Sequence, residues 1–336
     1  MSSLPPVGAQ PFGEEEAEAL FGAILDAQVE AEAIAAFLVA LSDRGETASE
    51  ITGAARAMRA RMVPVAAPAD VLARAIDVCG TGGDGHHTLN VSTAVSLVVA
   101  ACGVPVAKHG NRAASSKSGA ADTLEALGLD LARAGERAGE TLAEIGIAFL
   151  FAQAHHPRLG PIAPIRRALG RRTIFNLMGP LANPAGVRRQ LVGIARPAYV
   201  PIYADAICRL GTERSFVVSG DEGLDELSLA GGNEWADVQR DTVAMKRVAA
   251  AEAGLAASPV SAIRGGDAAH NADALKRLLM GEEGAYRDAV LFNAAGALMV
   301  AGEVADWREG VEEAAEAIDK GLAKALLDCW ISATRA

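Results

Sequence analysis

Four stretches of this 336-residue sequence gather side chains suited to anions and divalent cations. The first, Gly80-Thr-Gly-Gly-Asp-Gly85, follows the strand-like run IDVCG and leads through Asn90-Val-Ser-Thr93 into an apolar helical run. A Gly-rich turn feeding a helix presents backbone N–H groups and the positive end of the helix dipole, which suit phosphate or pyrophosphate. From the glycines alone, an ordinary tight turn with a Ser or Asn cap reads equally well. The second stretch, KHGNRAASSKSG from Lys108 to Gly119, sets lysines, an arginine, a histidine and serines between a strand-like run and a helix. That density fits a doubly phosphorylated ligand, with lysine as point charge and hydroxyl or backbone groups completing the oxygen shell. The third is Asp225-Glu226 within SGDEGLDELSL. Mg2+ favours a few carboxylates and retained waters over a full protein cage, so such a pair could hold it; Asp221 and Glu222 would serve equally, and most Asp-Glu pairs are solvated surface. The fourth runs from His155-His156-Pro157 to Arg166-Arg167. A guanidinium fork at Arg166 matches a planar carboxylate, against the plainer reading of a solvated arginine. Neither His155-His156 nor His86-His87 has partners at metal-ligand spacing.

These stretches need elements to hold them. Residues 14 to 63 carry helical periodicity: Leu20, Phe21, Ile24 and Leu25 share one face, and Ile34, Phe37, Leu38 and Leu41 the next. A third helix starts after Thr47, with Glu50 placed for a capping box, and carries Ile51, Ala54, Met58 and Met62 on one side. From Ile76 the texture becomes short β-type runs ending in Gly, each followed by an apolar helix, with further strands expected at Ile145–Phe151 and Ser215–Val218 and Ala-rich helices around Ala314–Leu327. The expected fold is α/β: a small all-helical N-terminal domain over residues 1–67, a linker-like stretch at Val65–Pro68, and a larger domain over 68–336 with a mostly parallel central sheet flanked by helices. Two anion-type loops at one end of a parallel sheet place the ligand site there.

A net charge of -11 and pI near 5.1 oppose polyanion binding over the general surface. Cys79, Cys102, Cys208 and Cys329 form no CxxC pair, so reduced core thiols in a cytoplasm are expected rather than a zinc site or disulfides. The first twenty residues lack a basic n-region, and the longest apolar run, Ala94–Ala107, is broken by Ser96, Gly103 and Pro105. A cytoplasmic protein with no membrane or nucleic-acid partner follows as the expectation.

Four segments, GTGGDG with NVST, KHGNRAASSKSGAADTLEALG, AHHPRLGPIAPIRRALGRRTIFNLMGPLANP and GLDELS, closely resemble the anthranilate phosphoribosyltransferases, and the resemblance extends over essentially the whole chain. It implies that helices near 160–185 join the small domain, that a hinge lets the cleft close, and that the chain forms a homodimer. Carried over by position, it implies phosphoribosyl pyrophosphate contacts from Gly80, Gly83, Asp84, Thr88, Asn90 and Val91, continuing through Ser92, Thr93 and Lys108. Asn111, Arg112, Ser116 and Ala120 would complete that set. Anthranilate would meet Gly80, His109, Asn111, Arg166 and Pro180, with Arg166 toward the carboxylate. Two Mg2+ ions would take Ser92, Asp225 and Glu226. One departure is Ala120, where the family usually has Ser, removing one hydroxyl.

The reaction so implied displaces pyrophosphate at ribose C1 through an oxocarbenium-like transition state, by positioning and electrostatics and with no assigned general acid or base. No fused amidotransferase domain is expected. Two rivals share the fold: a pyrimidine nucleoside phosphorylase, disfavoured by intact KHGNR and GTGGD, and a non-enzymatic nucleic-acid-binding relative, disfavoured by the acidic charge and the complete metal pair.

Overall fold

The computed structural model describes residues 3–113 and 117–335. Seven strands form one sheet: β1 (Ile76–Gly80), β2 (Val106–Gly110), β3 (Ile147–Phe151), β4 (Arg189–Gly193), β5 (Arg214–Gly220), β6 (Gly232–Gln239) and β7 (Thr242–Ala249). Their spatial order is β3-β2-β1-β4-β5-β6-β7, parallel through β5 and antiparallel for the last two. The strands β1 to β3 are buried almost throughout, as expected of a parallel sheet covered on both faces. The chain runs outward from β1 to β3 and then returns to β4 on the other side of β1. A crevice therefore opens where the C-terminal ends of β1 and β4 part.

The expected strands within 76–80, 104–110, 145–151 and 215–218 are all present, and the sheet is mostly parallel as anticipated. β4 and the β6–β7 hairpin are additions to that expectation. β7 lies at the sheet edge with most of its side chains in solvent, so it lacks the apolar signal of a buried strand.

The N-terminal helices Glu14–Leu25, Ala31–Arg44 and Ala48–Arg59 follow the predicted periodicity, except that the third ends at Arg59, short of Met62. Glu50, completely buried, accepts from the Thr47 backbone N–H and hydroxyl, from the Phe12 N–H and from Arg44. The arginine neutralises a charge that burial would otherwise expel. Phe21, Phe37 and Phe175 pack edge to face, so this bundle shares its apolar core with the segment around Ile162–Met178 and with the helix Val200–Arg209. The stretch at Val65–Pro68 is not a free linker. Val63 and Val65 donate to the carbonyls of His155 and Pro184, and Ala66 lies so close to Gly139 that a Cβ there would meet its carbonyl at 1.8 Å.

All four cysteines are free, but only Cys79 is a core thiol; Cys102 and Cys208 are partly exposed and Cys329 is exposed. The expectation of four core thiols is corrected on three positions. They fall on helix faces and ends turned toward solvent. Among the described residues no helix is long and apolar enough to cross a membrane.

Candidate active site

A cleft of about 400 Å³ occupies the crevice, floored by the C-terminal ends of the strands and roofed by Met58, Leu159, Arg166 and Phe175 from the helical side. Its floor depends on two glycines. A Cβ on Gly80 would lie 2.3 Å from Asp225 Oδ2, and one on Gly193 would lie 1.6 Å from the Asp225 carbonyl oxygen. Their bare backbones let the 221–231 loop descend onto the ends of β1 and β4.

The Gly-rich turn takes left-handed conformations at Gly82, Gly83 and Gly85, with φ of 69°, 71° and 82°, and at His87, with φ of 54°. This opens the turn so that the Gly82 N–H donates to Asp225 Oδ2 at 2.6 Å. The helix Val91–Ala101 follows, but Asn90 at its start makes no capping bond; the Ser92 N–H donates instead to Glu226 Oε1 at 3.2 Å. A carboxylate thus occupies the positive end of the helix. The plain turn with an Asn cap is excluded.

Asp225 and Glu226 are half-buried and open toward the cleft, with no side-chain cation within ion-pair distance among the described residues. Burial, and then the like charge of Asp84, pushes the Asp225 carboxyl up to about 7. Burial, and then Asp225, pushes Glu226 up to about 8. Such crowded negative charge at the mouth of a phosphate-type turn calls for a cation. No group of three or more His, Cys, Asp or Glu among the described residues makes a closed cage. Two carboxylates with a serine hydroxyl nearby suit Mg2+, which keeps several of its waters. The upstream pair differs: Asp221 is bound to Arg247 in solvent, and Glu222 accepts from Ser228.

Lys108 belongs to β2 itself rather than to the loop, and is buried. Its Nζ donates to the Val78 carbonyl at 2.7 Å and to Ser92 Oγ at 3.2 Å. Burial lowers its pKa, while Asp77 and Glu226 act to hold the charge. Asp77, completely buried in β1, accepts from the His109 N–H and from Asn183. The lysine therefore stands behind Ser92, its position fixed.

Arg112 is exposed and engaged by Asp122 and Glu125, so any anion must compete with those carboxylates. Asn111 accepts the Arg112 N–H at its side-chain oxygen and lines the cleft. Asp122 accepts from the N–H groups of Ala113 and Gly119, tying the second loop to the helix Ala120–Leu127. Gly80, Gly83, Asp84, Thr88, Asn90, Val91, Ser92 and Ala120 also line the cleft. Thr93 does not: its hydroxyl is buried in the helix without a partner among the described residues. Ser116 lies outside the described residues.

On the helical side, Arg166 is half-buried above the Phe175 ring at 5.6 Å, with burial lowering its pKa and no carboxylate in ion-pair range among the described residues. It is an unpaired fork aimed at the cleft wall rather than a solvated surface arginine. Pro180 and His109 line the same cleft. His109 Nδ1 donates to the Gly179 carbonyl at 2.9 Å, and burial brings its pKa down to about 3. His156, whose ring lies 5.0 Å from that of His109, is brought down to about 4 by burial, so both rings are neutral.

Sequence reasoning passes over two contributors. His156 enters it only as a possible metal ligand, yet it forms cleft wall. Arg172 does not enter it at all: its Nη1 donates to the carbonyls of Gly82 and Gly83 at 2.7 and 3.0 Å, clamping the turn from the helical side. Arg171 beside it merely pairs with Asp43 at the surface. The available signal is the run GRRTIFN, which does not say which arginine turns inward.

Two family models match the chain: "Glycosyl transferase family, helical bundle domain" over residues 7–62, and "Glycosyl transferase family, a/b domain" over residues 72–324. An anthranilate phosphoribosyltransferase from Novosphingobium aromaticivorans is 76% identical over 331 residues, covering 98% of this chain and 99% of that one. The crystal structure of the anthranilate phosphoribosyltransferase from Thermus thermophilus superposes with a TM-score of 0.92 at 42% identity, over 98% of this chain and 97% of that chain. The Saccharomyces cerevisiae enzyme, in a structure described as a complex with PRPP and Mg, gives a TM-score of 0.87 at 27% identity over 96% and 93%. With both the helical and the α/β region matched and identity this high over nearly the full length, the chain belongs to the anthranilate phosphoribosyltransferase family.

Proposed function

We propose that the protein transfers the phosphoribosyl group of 5-phosphoribosyl 1-pyrophosphate to the amino nitrogen of anthranilate, the tryptophan-pathway reaction of its family. The observation that carries this is one cleft at the sheet switch point holding an opened Gly-rich turn, a carboxylate pair outside any ion pair among the described residues and an unpaired arginine fork. The C1–O bond to pyrophosphate breaks, the C1–N bond forms, and the amine proton passes to solvent.

The phosphate end lies along the turn at Gly80, Gly83, Asp84 and Thr88, beside Asn90, Ser92, Lys108, Asn111 and Arg112. Arg166 takes the anthranilate carboxylate in a bidentate grip, with Pro180 and the neutral His109 bounding the ring. Neutral imidazoles suit this wall, since they neither attract the pyrophosphate nor require a counterion. Asp225, Glu226 and Ser92 hold Mg2+, two ions in all, which neutralises the departing pyrophosphate when bound. Alignment of a weakly basic amine against C1 is worth roughly 7 to 11 kcal/mol in favourable cases, so these residues act by positioning and no side chain need remove a proton. Residues 1–67 with the segments near 160–185 move as one unit against the rest of 68–336 as the cleft closes, and the chain acts as a cytoplasmic homodimer.

The test is the fall in anthranilate fluorescence on mixing protein, Mg2+ and phosphoribosyl pyrophosphate. A signal that needs all three and weakens about tenfold or more in Arg166→Ala supports the assignment. A flat trace from folded protein overturns it.

A further inference from the structure

Asn90 stands where a helix-capping side chain belongs, yet its oxygen does not cap. It is held from two sides instead: Thr123 Oγ1 donates to Asn90 Oδ1 at 2.5 Å, and Asn271 Nδ2 donates to the same oxygen at 2.8 Å. The orientation of Asn271 is fixed by a backbone group, because its Oδ1 accepts the Gly266 N–H at 2.8 Å and a backbone N–H can only donate. Asn271 must therefore present its amino group to Asn90, and Asn90 must answer with oxygen. The Asn90 amino group is then the half left to face the cleft that Asn90 lines.

The rest of the region supports the same end. Asn271 is 1% exposed and lies in the helix Ala268–Leu279, nearly two hundred residues along the chain from the turn it serves. The segment before that helix pairs with the end of the Gly-rich turn: Leu89 donates to Ile263, Gly265 donates to His87, and Thr88 bridges Arg264. Gly265 permits this approach, since a Cβ there would meet the Thr88 carbonyl at 2.5 Å. Tyr286 adds a bond from its hydroxyl to the Asn90 carbonyl at 3.2 Å.

We propose that Asn271 is a positioning residue for the phosphoribosyl pyrophosphate site: by engaging Asn90 Oδ1 it turns the Asn90 amide so that its N–H2 donates to the bound anion. This rests on the proposed function, and it adds a residue that touches no substrate. Replacing Asn271 by Asp keeps the size and the acceptor for Gly266 but removes the donor. Asn90 then turns its amino group toward residue 271 and offers its oxygen to the phosphates.

The experiment measures binding of phosphoribosyl pyrophosphate with Mg2+ to the full chain by calorimetry, and steady-state transfer separately, for wild type, Asn271→Asp, Asn90→Ala and the double variant. Asp273→Asn, on the exposed face of the same helix, is the control. The expected result is binding weakened roughly tenfold or more by Asn271→Asp, read also as a raised KM for phosphoribosyl pyrophosphate with little change in KM for anthranilate. No further loss is expected when the substitution is added to Asn90→Ala. Unchanged binding in Asn271→Asp, or an equal loss in both backgrounds, overturns the proposal. Wild-type protein that binds phosphoribosyl pyrophosphate without transferring it overturns the function and leaves the positioning role to be read from binding alone.

Discussion

Two acid pairs lie four residues apart on one loop and have opposite fates. Asp221 is solvent-exposed and tied to Arg247, and Glu222 is taken by Ser228. Asp225 and Glu226, beyond the turn at Gly223, descend onto the ends of β1 and β4 and accept from the Gly82 and Ser92 backbones. The pairs are equally acidic in sequence; what differs is whether side chains, Arg247 and Ser228, or backbone N–H groups are their hydrogen-bond partners. Charge left unanswered at a cleft floor is available to a cation, whereas charge already paired in solvent contributes little.

The sharpest way to break this contrast is to neutralise each pair in turn. Asp225→Asn should lower kcat/KM about a hundredfold or more, and should abolish the rise in thermal midpoint that Mg2+ with phosphoribosyl pyrophosphate gives the wild type. Asp221→Asn should leave kcat/KM within about twofold. Equal losses in steady-state assays would show that both pairs serve the site.

A smaller but still severe effect is expected from the floor. Gly193→Ala places a methyl group against the Asp225 backbone, so the loop must lift. Destabilisation of roughly 1 to 3 kcal/mol in denaturant melts should accompany a fall in activity of about tenfold or more. A variant with wild-type stability and activity would mean that the 225 loop is not pinned there.

Arg172→Ala releases the clamp on Gly82 and Gly83 while sparing the carboxylates. KM for phosphoribosyl pyrophosphate should rise about three- to tenfold with kcat little changed, since one charge-assisted clamp is lost from the turn.

The mildest effect concerns the opposite wall. His109 and His156 have folded pKa values of about 3 and about 4 against an ordinary 6.5. Their neutral burial supports the fold fully above pH 6.5, and that support is lost as the pH falls from 6.5 through about 4 for His156 and about 3 for His109, because the unfolded chain binds the protons first. Thermal midpoints should decline over that window, and His156→Asn should flatten the decline. An unchanged slope would show that the pair is not a source of acid lability.

Four of the five parallel strands, all but β4, together with the three N-terminal helices and the capping box at Thr47, are legible because each rests on local periodicity and short-range capping. The β6–β7 hairpin is not: β7, at the sheet edge in solvent, carries no apolar signature, and the largely buried β6 mixes polar residues among its apolar ones in GNEWADVQ. Most of the candidate residues do converge on the cleft, since motifs that end parallel strands meet at one end of the sheet. Lys108, however, reads in the sequence as a loop cation and stands buried in β2; Thr93 reads as a ligand and faces the core.

By itself, the sequence determined residue chemistry and local geometry: which stretches could become strands, where glycine opened the turn, and which segments carried cations or carboxylates. Only the tertiary structure decided among chemically equal neighbours, choosing Asp225 over Asp221, Arg172 over Arg171, and the oxygen rather than the nitrogen of Asn90 for the protein side. The physical reason is that these choices are made by burial and by hydrogen-bond partners scores of residues away in the chain. Neither exists until the sheet brings the ends of β1, β2 and β4 together with the helix Ala268–Leu279.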